Sequence, residues 1–345
     1  MIAHSRPSIS EADVERVAAV VRSGQLAQGP EVAALERELG ARLGVEAAAV
    51  VASGTAALEL ALRALGVGPG HEVLIPTYVC DALHHAVTRC GAEPVLVDAD
   101  PLTLSLSAKD AEARQTARTR AVIVPHAFGL AVDLVPFHAL GIPVIEDCAQ
   151  ALGAEVDGRP AGAAGTLAVC SFYATKMIAA GEGGAVVGSA ALVAHVRDAR
   201  QYDEREELAP RSNAKLTDMQ AALARSQLRR LDAFVVRRRA IAARYRERLA
   251  RAECRLPPDA GSRHVYHRFV VGVERDPREI QAALAARGVA ARRPVFRPVH
   301  RSLGRDGYPE AERLWSTAVS IPCYPALADR EIEQVADALL ASLDG

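Results

Sequence analysis

The chain has 345 residues, half of them hydrophobic, and a formal net charge of −1. That length accommodates two domains around a large core, and the near-zero charge argues against a strong electrostatic grip on nucleic acid or on an anionic membrane surface. The opening MIAHSRPSISEADVERV lacks a charged segment followed by an apolar one, and no apolar run reaches the roughly 20 residues that span a bilayer, so a soluble cytoplasmic protein is expected.

In chain order, residues 47–52 read as a strand and 56–65 as a helix with leucines at helical spacing. Residues 72–75 form a strand, 80–89 a helix and 94–97 a strand; 121–124 and 143–145 are two more short apolar strands. A run at 167–172 and a second at 185–187 flank the small-residue turn Ala179-Ala180-Gly181-Glu182-Gly183-Gly184. Apolar strands alternating with helices predict an α/β fold, with a largely parallel sheet covered on both faces. Residues 216–252 read as one long helix with an apolar stripe; beyond it lie a strand at 269–273 and helices at 278–287 and 329–343. The expected organisation is a large α/β domain over residues 1–225, and a smaller α+β domain over 226–345 entered by the long helix.

Ligands on such a sheet bind beyond the carboxyl ends of the strands, and the polar residues cluster there. Ser53-Gly54-Thr55 opens the helix after the first strand, where hydroxyls and free amides suit a phosphate, although the same residues make an ordinary helix cap. Thr77-Tyr78 follows the second strand; the tyrosine suits stacking on a planar cofactor or a place in the core. Glu146-Asp147 ends another strand, where Asp147 suits a pyridinium nitrogen or a local salt bridge. Gln150 suits a phenolic oxygen or a loop contact, and Ser171 adds a hydroxyl on the strand at 167–172. Lys176 follows that strand and precedes the glycine turn. A buried lysine has a lowered pKa and supplies the free amine that Schiff-base chemistry needs. Only Lys109, Lys176 and Lys215 break an otherwise arginine-only set of basic residues, a pattern attributable to codon bias. Lys109 reads as a surface residue. The helix start, the aromatic, the acid, the second hydroxyl and the lysine appear in that order, each after a strand, which chance assembles far less readily than any one of them.

With these motifs in hand, the chain resembles the sugar aminotransferases of the DegT/StrS group, pyridoxal-phosphate enzymes of fold type I. The resemblance runs nearly end to end, through SGTAALELAL, GHEVLIPTYV, VPHAFG, IEDCAQALGA, SFYATK, GEGGAVV, NAKLTDMQAALA and IPCYPALADREIEQV. It implies a pyridoxal 5′-phosphate cofactor held by a Schiff base on Lys176, which also shuttles the proton, with Asp147 on the pyridine nitrogen. It places Gln150 at the phenolic oxygen, Tyr78 on the ring, and Gly54, Thr55 and Ser171 at the phosphate. Asn213 and Lys215 would reach the phosphate of a neighbouring subunit, making a homodimer with shared active sites. A related dehydratase branch carries histidine in place of the lysine, so Lys176 implies transamination. The implied reaction moves an amino group from glutamate or glutamine to a keto sugar, nucleotide-linked by preference; a keto-inositol acceptor or a non-catalytic regulator are the alternatives. The stretch 200–213 lacks the aromatic residues many relatives carry before the asparagine.

Other features carry less. None of the six cysteines forms a CxxC pair, which suits reduced, buried thiols, and no histidine spacing marks a metal site. His84 and His85 read as surface residues. His126, His267 and His300 divide between substrate contacts and structural roles. The loop Arg292-Arg293-Pro294-Val295-Phe296-Arg297 with His300-Arg301 suits a sugar diphosphate or a substrate carboxylate, with a solvated loop as the simpler reading. The arginines of 237–251 read as the solvent face of a helix.

Overall fold

The computed structural model describes residues 1–343. Its central sheet contains β1 (Ala47–Val51), β2 (Glu72–Pro76), β3 (Glu93–Val97), β4 (Thr119–Pro125) and β5 (Val144–Asp147). A small hairpin, β6 (Glu155–Val156) and β7 (Arg159–Pro160), precedes β8 (Leu167–Ser171) and β9 (Gly184–Gly188). The strand order is β1-β9-β8-β5-β4-β2-β3. Pairings from β8 through β5, β4 and β2 to β3 are parallel, whereas β9 runs antiparallel to both β1 and β8. The predicted strands are therefore present in a mostly parallel sheet.

The strands read as unbroken apolar runs because both faces are covered. Successive residues point to opposite sides. Val51, Ile75, Ile145 and Val169 pack with the helices Gly54–Ala64 and Ala82–Arg89, while Val50, Ala168, Cys170 and Val187 pack with the helix Pro30–Leu43. A separate core joins Tyr245, Phe269, Val271, Ile280, Leu284, Val319 and Leu339 around the antiparallel pair β10 (Phe269–Gly272) and β11 (Ala318–Ile321). The helix Pro309–Thr317 returns to the first core through Ala311 and Leu314.

The long helix expected over 216–252 is two helices, Asp218–Arg229 and Leu231–Arg248. At the junction Arg230 leaves helical geometry (φ −100°, ψ 0°) and donates to Asp13 at 2.9 Å and to the Ser8 carbonyl at 3.2 Å. Thr217 caps the first helix by accepting from the Gln220 amide. The buried Asp218 carboxylate accepts from the amides of Gly29, Glu31 and Val32 at 2.8, 3.2 and 3.0 Å, and so caps a second helix start. The solvent-face reading of residues 237–251 fails at Arg238. This guanidinium is buried and donates to the carbonyls of Tyr266, His267 and Cys323, fastening the second core to the segment that borders the site.

Candidate active site

The polar residues that follow β1, β2, β4, β5 and β8 converge on one cavity of about 470 Å³, a size suited to a small-molecule ligand. Gly54, Thr55, Tyr78, Asp147, Gln150, Ser171 and Lys176 all line it. Asn213 and Lys215 do not. Asn213 is exposed, and Lys215 pairs with Asp203 and lies 6.0 Å from the centre of the Tyr202 ring.

At one end the helix Gly54–Ala64 points its first amides at the cavity. Ser53 caps it, its hydroxyl accepting from the Ala56 amide at 3.1 Å. The end of β8 runs against this helix start so closely that a Cβ on Gly54 would lie 2.9 Å from the Ser171 Cβ. Glycine is therefore required for the free amides and the Ser171 hydroxyl to face the same space. Together they form an anion cradle with the positive end of the helix dipole behind it.

Asp147 lies at the bottom. Burial pushes its carboxyl above the ordinary aspartate value, against the Ala149 amide, which donates to it at 2.9 Å, and the charge of Lys176. An acid so placed ionises fully only when a cation faces it. Lys176 shows the complementary shift: burial lowers its ammonium from the ordinary 10.5, partly offset by Cys80 and Asp147. The lysine is held by its backbone, since its amide bonds the Tyr173 carbonyl at 2.8 Å and the neighbouring Ala174 amide bonds Gly181 across the turn at 3.0 Å.

Gln150 is oriented by its carbonyl oxygen, which accepts from the Phe128 amide at 2.7 Å and leaves the NH2 group to donate elsewhere. Phe128 itself sits in the left-handed region (φ 57°), a strained conformation of the kind concentrated at functional sites. The Tyr78 ring is buried and meets Phe128 edge-on, with centroids 6.3 Å apart.

The histidines divide. His126 lines the cavity, but both ring nitrogens are occupied: the Val132 amide donates to Nδ1 at 3.0 Å, so the proton is on Nε2, which donates to Glu146 at 3.0 Å. Glu146 also accepts from the amides of Gly162 (2.7 Å), Ala164 (2.6 Å) and Gly165. The donor atoms of His126, Glu146 and Cys148 lie within 4.8 Å of one another, yet these bonds make the group a polar tie rather than an ion site. His267 donates to the Thr175 carbonyl at 3.1 Å beside Lys176, and burial keeps its ring far below the ordinary histidine value. His300 is a structural residue, bonded to Thr77 at 2.7 Å and to Glu312 at 2.5 Å.

Burial pushes the Glu146 carboxyl up, but His126 and the surrounding amides outweigh this and hold it below the ordinary 4.5. Its contribution to stability is therefore complete above that value and is lost as the pH falls through the depressed one. Glu146→Gln turns an NH2 toward backbone donors, each orphaned amide costing about 1–3 kcal/mol. The expected result is a lower melting temperature at neutral pH and a weaker dependence of melting on acid, read by thermal denaturation from pH 3 to 7. Equal melting of the two proteins would show that the tie contributes nothing.

Three groups at the cavity escape a motif reading. Cys80 reaches it from the segment after β2 and is accessible there, unlike the buried thiols Cys148, Cys170 and Cys323. Arg268 ends the segment that joins the helix Leu231–Arg248 to β10, and burial lowers its guanidinium to about 10. Glu182 comes from the glycine turn itself. Neither spacing nor residue type separates these from surface neighbours; only the tertiary path brings them in.

The cavity fits pyridoxal phosphate on its own chemistry: a cradle for a dianion, a buried acid awaiting a cation, and a lysine with a lowered pKa line the same space. The sequence model described as the DegT/DnrJ/EryC1/StrS aminotransferase family matches residues 7–340. A UDP-N-acetyl-3-dehydro-alpha-D-glucosamine 3-aminotransferase of Acidithiobacillus ferrooxidans is 36% identical over 335 residues, 92% of this chain and 90% of that protein. Among solved structures, the sugar aminotransferase Spr1654 of Streptococcus pneumoniae in its PMP form superposes with a TM-score of 0.94 at 26% identity, over 99% of this chain and 98% of that one; its PLP form gives the same values. DesV of S. venezuelae, solved with a ketimine intermediate, gives 0.91 at 34% identity over 96% and 94%.

Proposed function

Because this chain belongs to the DegT/DnrJ/EryC1/StrS aminotransferase family, whose members are pyridoxal-phosphate enzymes, we propose that it transfers an amino group from glutamate or glutamine to the keto carbon of a nucleotide-linked sugar. The observation that carries this reading is the placement of Lys176 and Asp147 in one cavity, with the Gly54–Ser171 cradle lining the same space.

When bound, pyridoxal phosphate supplies an electron sink that makes the proton on the substrate's amine-bearing carbon removable. The chain's own groups do the rest. The amides at Gly54 and Thr55 and the Ser171 hydroxyl would hold the phosphate. Asp147 would keep a proton on the pyridine nitrogen, and the Gln150 NH2 would donate to the phenolic oxygen. Tyr78 would wall the ring. Lys176 Nζ, once unprotonated, would take the proton from the substrate carbon and give it back at the end of the transfer.

By family resemblance we also propose that Asn213 and Lys215, which lie outside the cavity of their own chain, reach the phosphate of a second subunit in a homodimer. A monomer by light scattering would remove that role. The substrate reading is tested by supplying glutamate with either a nucleotide-linked keto sugar or a keto-inositol and measuring 2-oxoglutarate. Turnover is expected with the nucleotide-linked acceptor; turnover with the inositol alone would replace this reading with a cyclitol one.

A further inference from the structure

Lys176 sits on a turn between β8 and β9 that has little regular structure. The backbone bonds around it close within the turn: the amides of Phe172, Ala174, Lys176 and Ala180 donate to the carbonyls of Gly183, Gly181, Tyr173 and Phe172. The Thr175 carbonyl, which forms the peptide bond to Lys176, is tied from outside. The His267 ring reaches it through Nε2 at 3.1 Å, across 92 residues of chain. A carbonyl only accepts, so the ring proton is on Nε2 and Nδ1 carries a lone pair.

His267 is itself firmly held. Arg238 donates to its carbonyl at 3.1 Å and to those of Tyr266 and Cys323, which belong to the second core and its border. Gly129 passes so close that a Cβ there would lie 2.7 Å from the His267 amide nitrogen, and its φ of +98° also demands glycine. The Arg268 amide donates to the Phe128 carbonyl at 3.2 Å, pinning the next residue. His126 and His300 use both ring nitrogens in framework bonds. His267 uses one: it is 6% exposed, and Nδ1 is buried with no hydrogen-bond partner among the described residues. A buried polar atom without a partner is costly and calls for an explanation, and the bond that the ring does make is to the peptide of the lysine. Burial, with the charges of Arg268, Lys176 and Arg238, keeps the ring neutral, so it donates to that carbonyl without setting a second cation beside the amine.

We propose that His267 is a positioning residue for Lys176: by holding the Thr175 carbonyl it sets the backbone from which the amine is aimed, and through Arg238 it couples that backbone to the second core. The proposal rests on the reading that Lys176 is the Schiff-base lysine.

Two amide variants test the tie. The NH2 of a glutamine reaches as far as Nε2, whereas that of an asparagine stops near the place of Nδ1, short of the carbonyl. With the full chain freed of cofactor, uptake of pyridoxal 5′-phosphate is followed by visible absorbance, and amide hydrogen exchange is measured over residues 173–180. His267→Asn is expected to slow uptake about tenfold and to speed exchange in that segment, while His267→Gln stays within about twofold of wild type. In turnover, His267→Asn lowers kcat about tenfold and leaves KM for glutamate unchanged, because the binding groups keep their places. Both variants leave an amide in the same space, so the melting of the cofactor-free chain should not separate them. Wild-type uptake and exchange in His267→Asn would overturn the proposal. Equal losses in the two variants would overturn it as well, since the ring would then act by its shape alone. Uptake and exchange involve no sugar, so a wild type that takes up cofactor but aminates no sugar removes the functional reading alone. A Lys176→Ala chain that takes up cofactor with the wild-type absorbance removes both.

Discussion

Lys176→Ala is expected to lose transamination by at least about 10³-fold, the scale of a general acid–base contribution, and to lose the visible absorbance of the bound cofactor. Burial lowers the pKa of this amine, while Asp147 acts in the opposite direction. Removing a desolvated ammonium does not orphan a hydrogen bond, so circular dichroism and melting should show an intact fold. Lys176→Arg is the sharper test, because arginine keeps the charge but cannot give up its proton, and it is expected to fail equally. Turnover by either variant at the wild-type rate would refute the role of Lys176.

The second large effect belongs to Asp147→Asn. The amide keeps the shape and an oxygen for the Ala149 N–H, but cannot face a cation as an anion. A hydrogen bond to a charged group contributes about 1.5–3 kcal/mol, so kcat should fall roughly 10- to 100-fold. The pH dependence separates charge from shape. Burial raises the Asp147 carboxyl, so its hold on a cationic ring is present above that raised value and is lost as the pH falls through it. Cofactor affinity, titrated by absorbance, should therefore weaken on acidification in the wild type and stay flat in Asp147→Asn. Parallel pH curves would show that Asp147 acts only by filling space.

The sheet was legible because each strand is covered on both faces, so its residues form an unbroken apolar run that needs no pairing partner to be seen. The antiparallel course of β9 was not, since Gly184–Gly188 has the same composition whichever way it runs. The break at Arg230 was hidden for a related reason: its cause is Asp13 and Ser8, more than 200 residues away. At the site, Gly54, Tyr78, Asp147, Gln150, Ser171 and Lys176 share a cavity because each lies at or just after a strand end, a position readable from sequence. Cys80, Arg268 and Glu182 sit on connecting segments whose direction depends on packing. His126 illustrates the remaining ambiguity. Its place after β4 matches a substrate contact equally well, and only the Glu146 and Val132 bonds assign it to the framework.

The position of β9 between β1 and β8 bears on how the molecule is made. Among the named strands of the sheet, the earliest pairs with one that leaves the ribosome some 140 residues later, with Ala47 opposite Gly188. Such a distant closure is slow and comes after local contacts have formed. The turn carrying Lys176 is itself a local hairpin and forms early, but the Gly54 cradle cannot meet Ser171 until β9 docks. Nascent chains should therefore acquire the ability to capture cofactor abruptly, only once Gly184–Gly188 has emerged, and capture would then favour the closed sheet by mass action.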